Sequence, residues 1–396
     1  MDFYNHKGKL IQLTAQKFRL LTIISSTLFI FLCFFHYFSL RPLWLDEVSV
    51  LKNIEKFRCL NLLGPLDHAQ AFPRLYLVII KIISMPFQYH LLALRFLPLI
   101  AMFGAFFVWQ RVFRTVFQEN WQYILALFSF SCSHYLSYYA AELKPYSLDV
   151  LAVGSVTLLL LHMDAWQEGG SSWSRRLMIL AVPLVLFFSY AGIFIFWLVG
   201  YKMISWRLGR EKIFLLSCFS ILTCAVLAGI YYIDLRHSWG NAPLMDYWES
   251  YFICTDSTGC FMKTFWEGVR RLSTWWFGKS KFFVKWATFL IPFFLYGIFK
   301  HGFAALKNPN GRNVSPEIIL SVFFAELFVL GILKKYPFTG ERITLFFAPF
   351  VFIIIIKSFG DIRRFKYLFV IFLLSYFFLL GGSLVETLGI YYNYYL

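Results

Sequence analysis

The chain has 396 residues, of which 59% are hydrophobic, 21% aromatic and only 15% charged. Soluble domains carry roughly 25% charged residues, so the composition excludes a purely water-soluble enzyme. With 49 Phe and a mean hydropathy of +0.64 it excludes a disordered chain as well. The 37 Lys and Arg against 21 Asp and Glu give a net charge of +16. In a membrane protein that excess reads as positive loops fixing topology and basic clusters facing lipid phosphates, before any nucleic-acid site.

The predicted class is an all-α polytopic membrane protein. The N-terminal stretch is basic, and an apolar run from Phe18 to Leu40 follows it. The run is longer than a signal-peptide core and has no small-residue cleavage site, so it reads as an uncleaved first span with a cytosolic start. Further apolar stretches cover 73–86, 90–110, 122–139, 146–163, 177–203, 213–233, 283–300, 317–333, 343–357 and 367–382. The first of these is short and carries Arg74 and Lys81, which assigns it to the outer interface or a re-entrant segment. The 177–203 stretch has basic residues at both ends, so it is expected to turn back near Ser189-Tyr190-Ala191-Gly192. The basic clusters at 7–19, 111–114, 175–176, 202–212, 300–312 and 357–366 then share the cytosolic side.

This reading gives about eleven spans in a single multi-pass domain over 1–396. Outward segments are expected at 41–89, 235–282 and 334–342, carrying amphipathic loop helices, with no soluble domain after the last span. Among the seven cysteines no CxxC array appears. Cys33, Cys132, Cys218 and Cys224 read as small buried hydrophobes. Cys254 and Cys260 can form a disulfide if their loop lies outside the cytosol.

The outward segments are where chemistry is sought. Asp46 stands where an N-cap belongs, ahead of Val50, Leu51, Ile54 and Phe57 on one side of an amphipathic helix. Asp46 is thus a cap or, alternatively, a general base at the membrane surface, with Glu47 as a first-turn acid beside it. Arg95, Asp149 and Glu326 lie in or near apolar spans, where charge is costly and often functional. Arg95 and Asp149 fall near the outer ends and are expected to line one cavity. No metal-ligand cluster and no cofactor motif are present; Glu47, His68 and substrate oxygens are the one combination that would offer a metal a place.

The setting Trp44-Leu45-Asp46-Glu47-Val48 resembles the first outer loop of the C-type (GT-C fold) glycosyltransferases, which include protein O-mannosyltransferases and aminoarabinose transferases. Two more stretches fit bacterial members, and a third is similar to a late outer loop. The segment from Gly64 to Tyr76 resembles their second loop signature, with Pro73-Arg74-Leu75-Tyr76 where Pro-Pro-Leu-Tyr is usual. Ala141-Glu142-Leu143-Lys144-Pro145-Tyr146-Ser147 is similar to the motif before their fourth span, and Tyr336-Pro337-Phe338-Thr339-Gly340-Glu341-Arg342 to a late loop that ends in Arg. The resemblance covers roughly residues 18–382, and the large outer C-terminal domain of several relatives has no counterpart here.

The resemblance implies transfer of a sugar from a polyprenyl-phosphate donor to the hydroxyl of a glycan, lipid or protein acceptor, at the outer face of a bacterial plasma membrane. No cofactor and no nucleic acid are implied. Asp46 would be the base and Glu47 its support. Arg342 and Lys144 would stand at the phosphate, with Arg74, Glu142, Tyr146 and Lys335 as further substrate contacts. The competing reading is a transporter or lipid flippase, which would also explain the intramembrane acids. A subunit that keeps the fold without the chemistry is the third.

Overall fold

A computed structural model describes residues 3–67, 70, 72–168, 173–204, 209–236, 246–278, 280–302 and 314–394. Among them there is no strand, and the helices in chain order are α1 (Phe3–Phe38), α2 (Leu45–Lys56), α3 (Arg74–Ser84), α4 (Leu91–Val116), α5 (Asn120–Cys132), α6 (His134–Tyr139), α7 (Tyr146–Glu168), α8 (Trp173–Ala181), α9 (Phe196–Ile204) and α10 (Arg210–Ile230). After them come α11 (Thr258–Thr274), α12 (Lys281–Ala287), α13 (Leu290–Gly297), α14 (Pro316–Ile332), α15 (Ala348–Ile362) and α16 (Lys366–Tyr394).

Six helical segments among the described residues are long and apolar enough to cross a bilayer: 15–38, 91–116, 146–163, 212–234, 342–362 and 366–389. A bent pair, 281–287 with 290–302, makes seven if it is one span. Continuous helices therefore account for six or seven of the about eleven spans expected, and the other apolar stretches are short or broken. Helix α3 has 11 residues, roughly 16 Å at 1.5 Å per residue, about half of a hydrocarbon core. The 122–139 stretch breaks at Ser133, where the chain is extended and the His134 amide bonds to Ser383 Oγ at 3.0 Å instead of to the preceding turn. The 177–203 stretch breaks where a change of direction was expected: Pro183 opens one 3₁₀ turn, Ser189 is extended, and Tyr190–Phe194 forms a second turn. Helix α14 has 17 residues, and its Glu326 accepts a hydrogen bond from Trp197 Nε1 at 2.8 Å.

The centre of the bundle is α4, α7 and α15, with α1 and α5 against them. Helix α15 is apolar on every side, and Phe350 to Ile356 are all buried, as expected of a helix enclosed by protein. Close approach of α4 to α7 depends on Gly154, where a Cβ would lie 2.6 Å from Trp109 Nε1. That indole donates to the Val150 carbonyl at 3.0 Å.

The bundle has two chemically different ends. Arg111 and Arg114 lie at the C-terminal end of α4, and Arg363 and Arg364 directly follow α15. Arg363 pairs with Glu119 at 2.6 Å and Arg114 reaches Asn120 at 3.1 Å, which gathers these basic residues at one end. The start of α4 and the residues preceding α7 and α15, with α2, define the opposite end, which holds Asp46, Glu142, Lys144 and Arg342.

Candidate active site

Helix α2 forms because Val50 and Ile54 recur at helical spacing and bury against Tyr76, Leu77 and Ile80 of α3, with Leu94 and Leu143. Its cap is not Asp46. Trp44 is the N-cap residue, extended at φ −82°, and Glu47 reaches back to accept the Trp44 amide at 3.3 Å. Asp46 belongs to the first helical turn, with its carboxylate turned outward and 31% exposed. The correction is physical: the acid two residues further into the helix than a cap is free to point at other loops.

Those loops supply cations. Arg342 Nη2 lies 3.0 Å from Asp46 Oδ2, and Lys144 Nζ lies 3.8 Å from the same oxygen. Arg342 is set by the 336–341 loop, in which the Tyr336 hydroxyl donates to the Ile343 carbonyl at 2.7 Å and Glu341 caps the following 3₁₀ turn. Gly340 is required there, since a Cβ would overlap the Arg271 carbonyl of α11. The guanidinium of Arg342 lies 4.4 Å from the Trp44 ring centroid and 5.8 Å from that of Tyr247, with Trp248 at 6.0 Å. Lys144 donates to Gln70 Oε1 at 3.0 Å and stands 4.6 Å from the Phe72 ring. Burial pulls its pKa down to about 8, against the raising pull of Asp46.

Glu47 has a different environment from its neighbour. Its side chain is 0% exposed and meets Arg95 Nη2 through both oxygens, at 3.1 and 3.2 Å. It also accepts the Leu143 amide at 2.7 Å, while Arg95 Nη1 donates to the Arg41 carbonyl at 2.9 Å. One buried ion pair therefore fastens α2, α4, the 41–44 segment and the 142–144 segment together. Enclosed in this way, Glu47 can position its neighbour but offers no face to a substrate.

Glu142 is buried with Arg41 Nη2 3.9 Å away, and its Oε1 has no hydrogen-bond partner among the described residues. Burial first, and the nearby Glu47 second, push its pKa up to about 7. Tyr146 opens α7 and packs edge-on to Tyr139 at 5.1 Å. Lys335 is exposed, in the turn after α14, where its amide donates to the Leu330 carbonyl at 2.8 Å.

Arg74 departs from the expected grouping. Its guanidinium is buried and ion-paired to Asp234, at the end of the span before the 246–278 segment, and not to Asp46. Arg95 and Asp149, expected to line one cavity, have separate partners: Asp149 accepts from Ser189 Oγ at 2.6 Å, while Arg95 pairs with Glu47. His68 lies outside the described residues, and among those described no group of three His, Cys, Asp or Glu could hold a metal ion.

Several residues at the site escaped the sequence reading. Arg41, Tyr247 and Trp248 carry no motif, and Gln70 was not singled out within its loop signature; only folding places Tyr247 and Trp248 by Arg342, Gln70 on Lys144 and Arg41 beside Glu142. Arg95 did carry a signal, a cation within an apolar span, but nothing in the sequence named Glu47 as its partner. Cys254 and Cys260 are joined by a disulfide with Cα atoms 5.6 Å apart. That segment is tied to the Arg342 loop by Phe338 N–H donating to the Tyr251 carbonyl at 3.0 Å and by Arg271 paired with Glu341 at 3.3 Å. No family model matches the chain, and no curated protein or solved structure is significantly similar to it.

Proposed function

We propose that the protein is a membrane glycosyltransferase that moves a sugar from a polyprenyl-phosphate donor to an acceptor hydroxyl. The observation that carries this reading is the meeting of Asp46, Lys144 and Arg342, from three distant parts of the chain, at one partly open place. Asp46 takes the acceptor proton as the hydroxyl oxygen bonds to the anomeric carbon. The bond between that carbon and the donor phosphate oxygen breaks, and its electron pair leaves on the phosphate. Arg342 and Lys144 stabilise the growing negative charge, and until donor arrives they hold the Asp46 carboxylate in place. Trp44, Tyr247 and Trp248 around Arg342 supply flat apolar faces suited to a pyranose ring.

The site belongs to the outer face of a bacterial plasma membrane in this reading. Two features support that side: the disulfide beside the Arg342 loop, since such bonds persist in oxidising compartments, and the basic residues gathered at the other end of the bundle. The acceptor is a glycan, a lipid or a protein.

The test is transfer in proteoliposomes with labelled polyprenyl-phosphate sugar and a mixed acceptor pool. Label should move to acceptor with wild-type protein and not with Asp46→Asn. Movement of the labelled lipid between leaflets without transfer would overturn the reading in favour of a flippase.

A further inference from the structure

Phe72 stands beside Lys144, and what holds it there comes from distant parts of the chain. Its ring centroid lies 4.6 Å from Lys144 Nζ, and Gln70, two residues earlier, accepts from the same ammonium at 3.0 Å. Pro73 disfavours a helical conformation at Phe72, and α3 begins only at Arg74, so the Phe72 backbone depends on other elements. The Tyr190 hydroxyl, in the second 3₁₀ turn of the 177–203 stretch, lies 2.8 Å from the Phe72 carbonyl and 2.5 Å from Asp234 Oδ2. The Phe72 amide donates to the same carboxylate.

Asp234 is fully buried in a π turn, Tyr231–Leu235, that ends α10. Neutralising Arg74 requires only Oδ1, which pairs with Arg74 Nη2. The carboxylate nevertheless serves three donors, and two of them, the Phe72 amide and the Tyr190 hydroxyl, fix the residue beside Lys144. Phe72 is itself buried and forms one wall of the enclosure that leaves the Lys144 side chain 6% exposed. Withdrawing that wall admits water to the ammonium, while the charges of Asp46, Glu142, Arg342 and Glu47 that act on it stay in place.

We infer that Asp234 is a positioning residue for Lys144: through the Phe72 backbone it sets the aromatic wall that keeps this ammonium partly dehydrated beside Asp46. That the ammonium then serves a donor phosphate rests on the proposed glycosyl transfer. The positioning is read on the lysine itself, whatever reaction it serves.

The experiment is pulse acetylation of the purified full chain with acetic anhydride over a series of pH values, each lysine being followed by peptide mass spectrometry. The midpoint of a lysine's pH–rate curve reports its titration and not its access. In wild type the Lys144 midpoint should fall at about 8. Asp234→Glu keeps the charge opposite Arg74 but cannot hold all three donors at the original distances, and Tyr190→Phe removes only the bridging hydroxyl. Each should move the midpoint upward and lower the uncharged fraction of Lys144 near neutral pH by about tenfold, as water replaces the wall. Phe72→Leu should do the same, and adding Tyr190→Phe to it should move the midpoint no further, since both act through one ring. Lys81 of α3, also buried and bonded to the Ile54 carbonyl, is the control for general loosening. An unmoved Lys144 midpoint in Asp234→Glu or Tyr190→Phe, additive shifts in the double variant, or equal movement of Lys81 would each overturn the inference. Absence of sugar transfer by the wild-type protein would remove the glycosyl reading and leave the Lys144 result standing.

Discussion

Glu47 and Arg95 form a fully enclosed ion pair at 3.1 Å, with side chains 0% and 1% exposed, next in the helix to the partly exposed carboxylate of Asp46. Removing one partner of such a pair leaves a buried charge and costs about 3–5 kcal/mol. Glu47→Gln and Arg95→Met should each lower thermal stability in detergent strongly. The double variant should be less destabilised than the two single effects added, since no charge then remains unpaired. Additive losses would mean the pair is not the fastening it is described as.

Asp46→Asn separates chemistry from folding more cleanly than the sequence promised. The helix is capped by Trp44 and Glu47, so the amide changes no cap. Loss of a partly exposed ion pair is worth about 1 kcal/mol or less. Turnover should fall by about 10²–10⁴ with unfolding temperature and donor affinity nearly unchanged. Normal turnover in a folded Asp46→Asn preparation would end the case for this base.

Arg342→Ala should weaken donor use more than acceptor use, because the guanidinium is the group proposed to face the phosphate. Arg342→Lys should recover part of it, since an ammonium gives a point charge without the paired donors of Arg. Steady-state kinetics with each substrate varied in turn would distinguish the two. A defect confined to the acceptor would place the phosphate elsewhere.

The pH dependence of stability follows from Glu142 and Lys144. Burial raises Glu142 from its ordinary 4.5 to about 7, so the folded state holds more protons between those values and its contribution is lost as pH rises through them. Burial lowers Lys144 from 10.5 to about 8, so the unfolded state holds more protons there and stability recovers as pH rises from about 8. These two groups together contribute a minimum near pH 7–8 to the unfolding temperature. In Glu142→Gln the acidic limb, from about pH 4.5 to 7, should be flattened relative to wild type while the alkaline limb persists.

Sidedness has its own test. In a background without the free cysteines, Leu45→Cys, at a position 80% exposed beside Asp46, should react with an impermeant maleimide added to intact cells. Arg364→Cys, at the other end of the bundle, should react only after permeabilisation. The opposite pattern would put the site on the cytosolic side and remove the oxidising compartment from the argument.

The sequence by itself determined the solvent and the secondary structure. Apolar runs this long satisfy their backbone as helices, and the order of those runs and of the basic clusters sets which ends of α1, α4, α7 and α15 lie together. The amphipathic α2 and the closeness of Cys254 to Cys260 were likewise local, hence legible. Continuity of the spans was only partly so: basic flanks marked the break near Ser189, whereas the break at Ser133 depends on Ser383, distant in sequence. Nor could composition tell apart Asp46 and Glu47, adjacent acids on one helix turn. Tertiary structure decided it, because a residue's burial and charge partners come from other elements. Arg95 of α4 claims Glu47, Arg342 and Lys144 claim Asp46, and Asp234 draws Arg74 away from both.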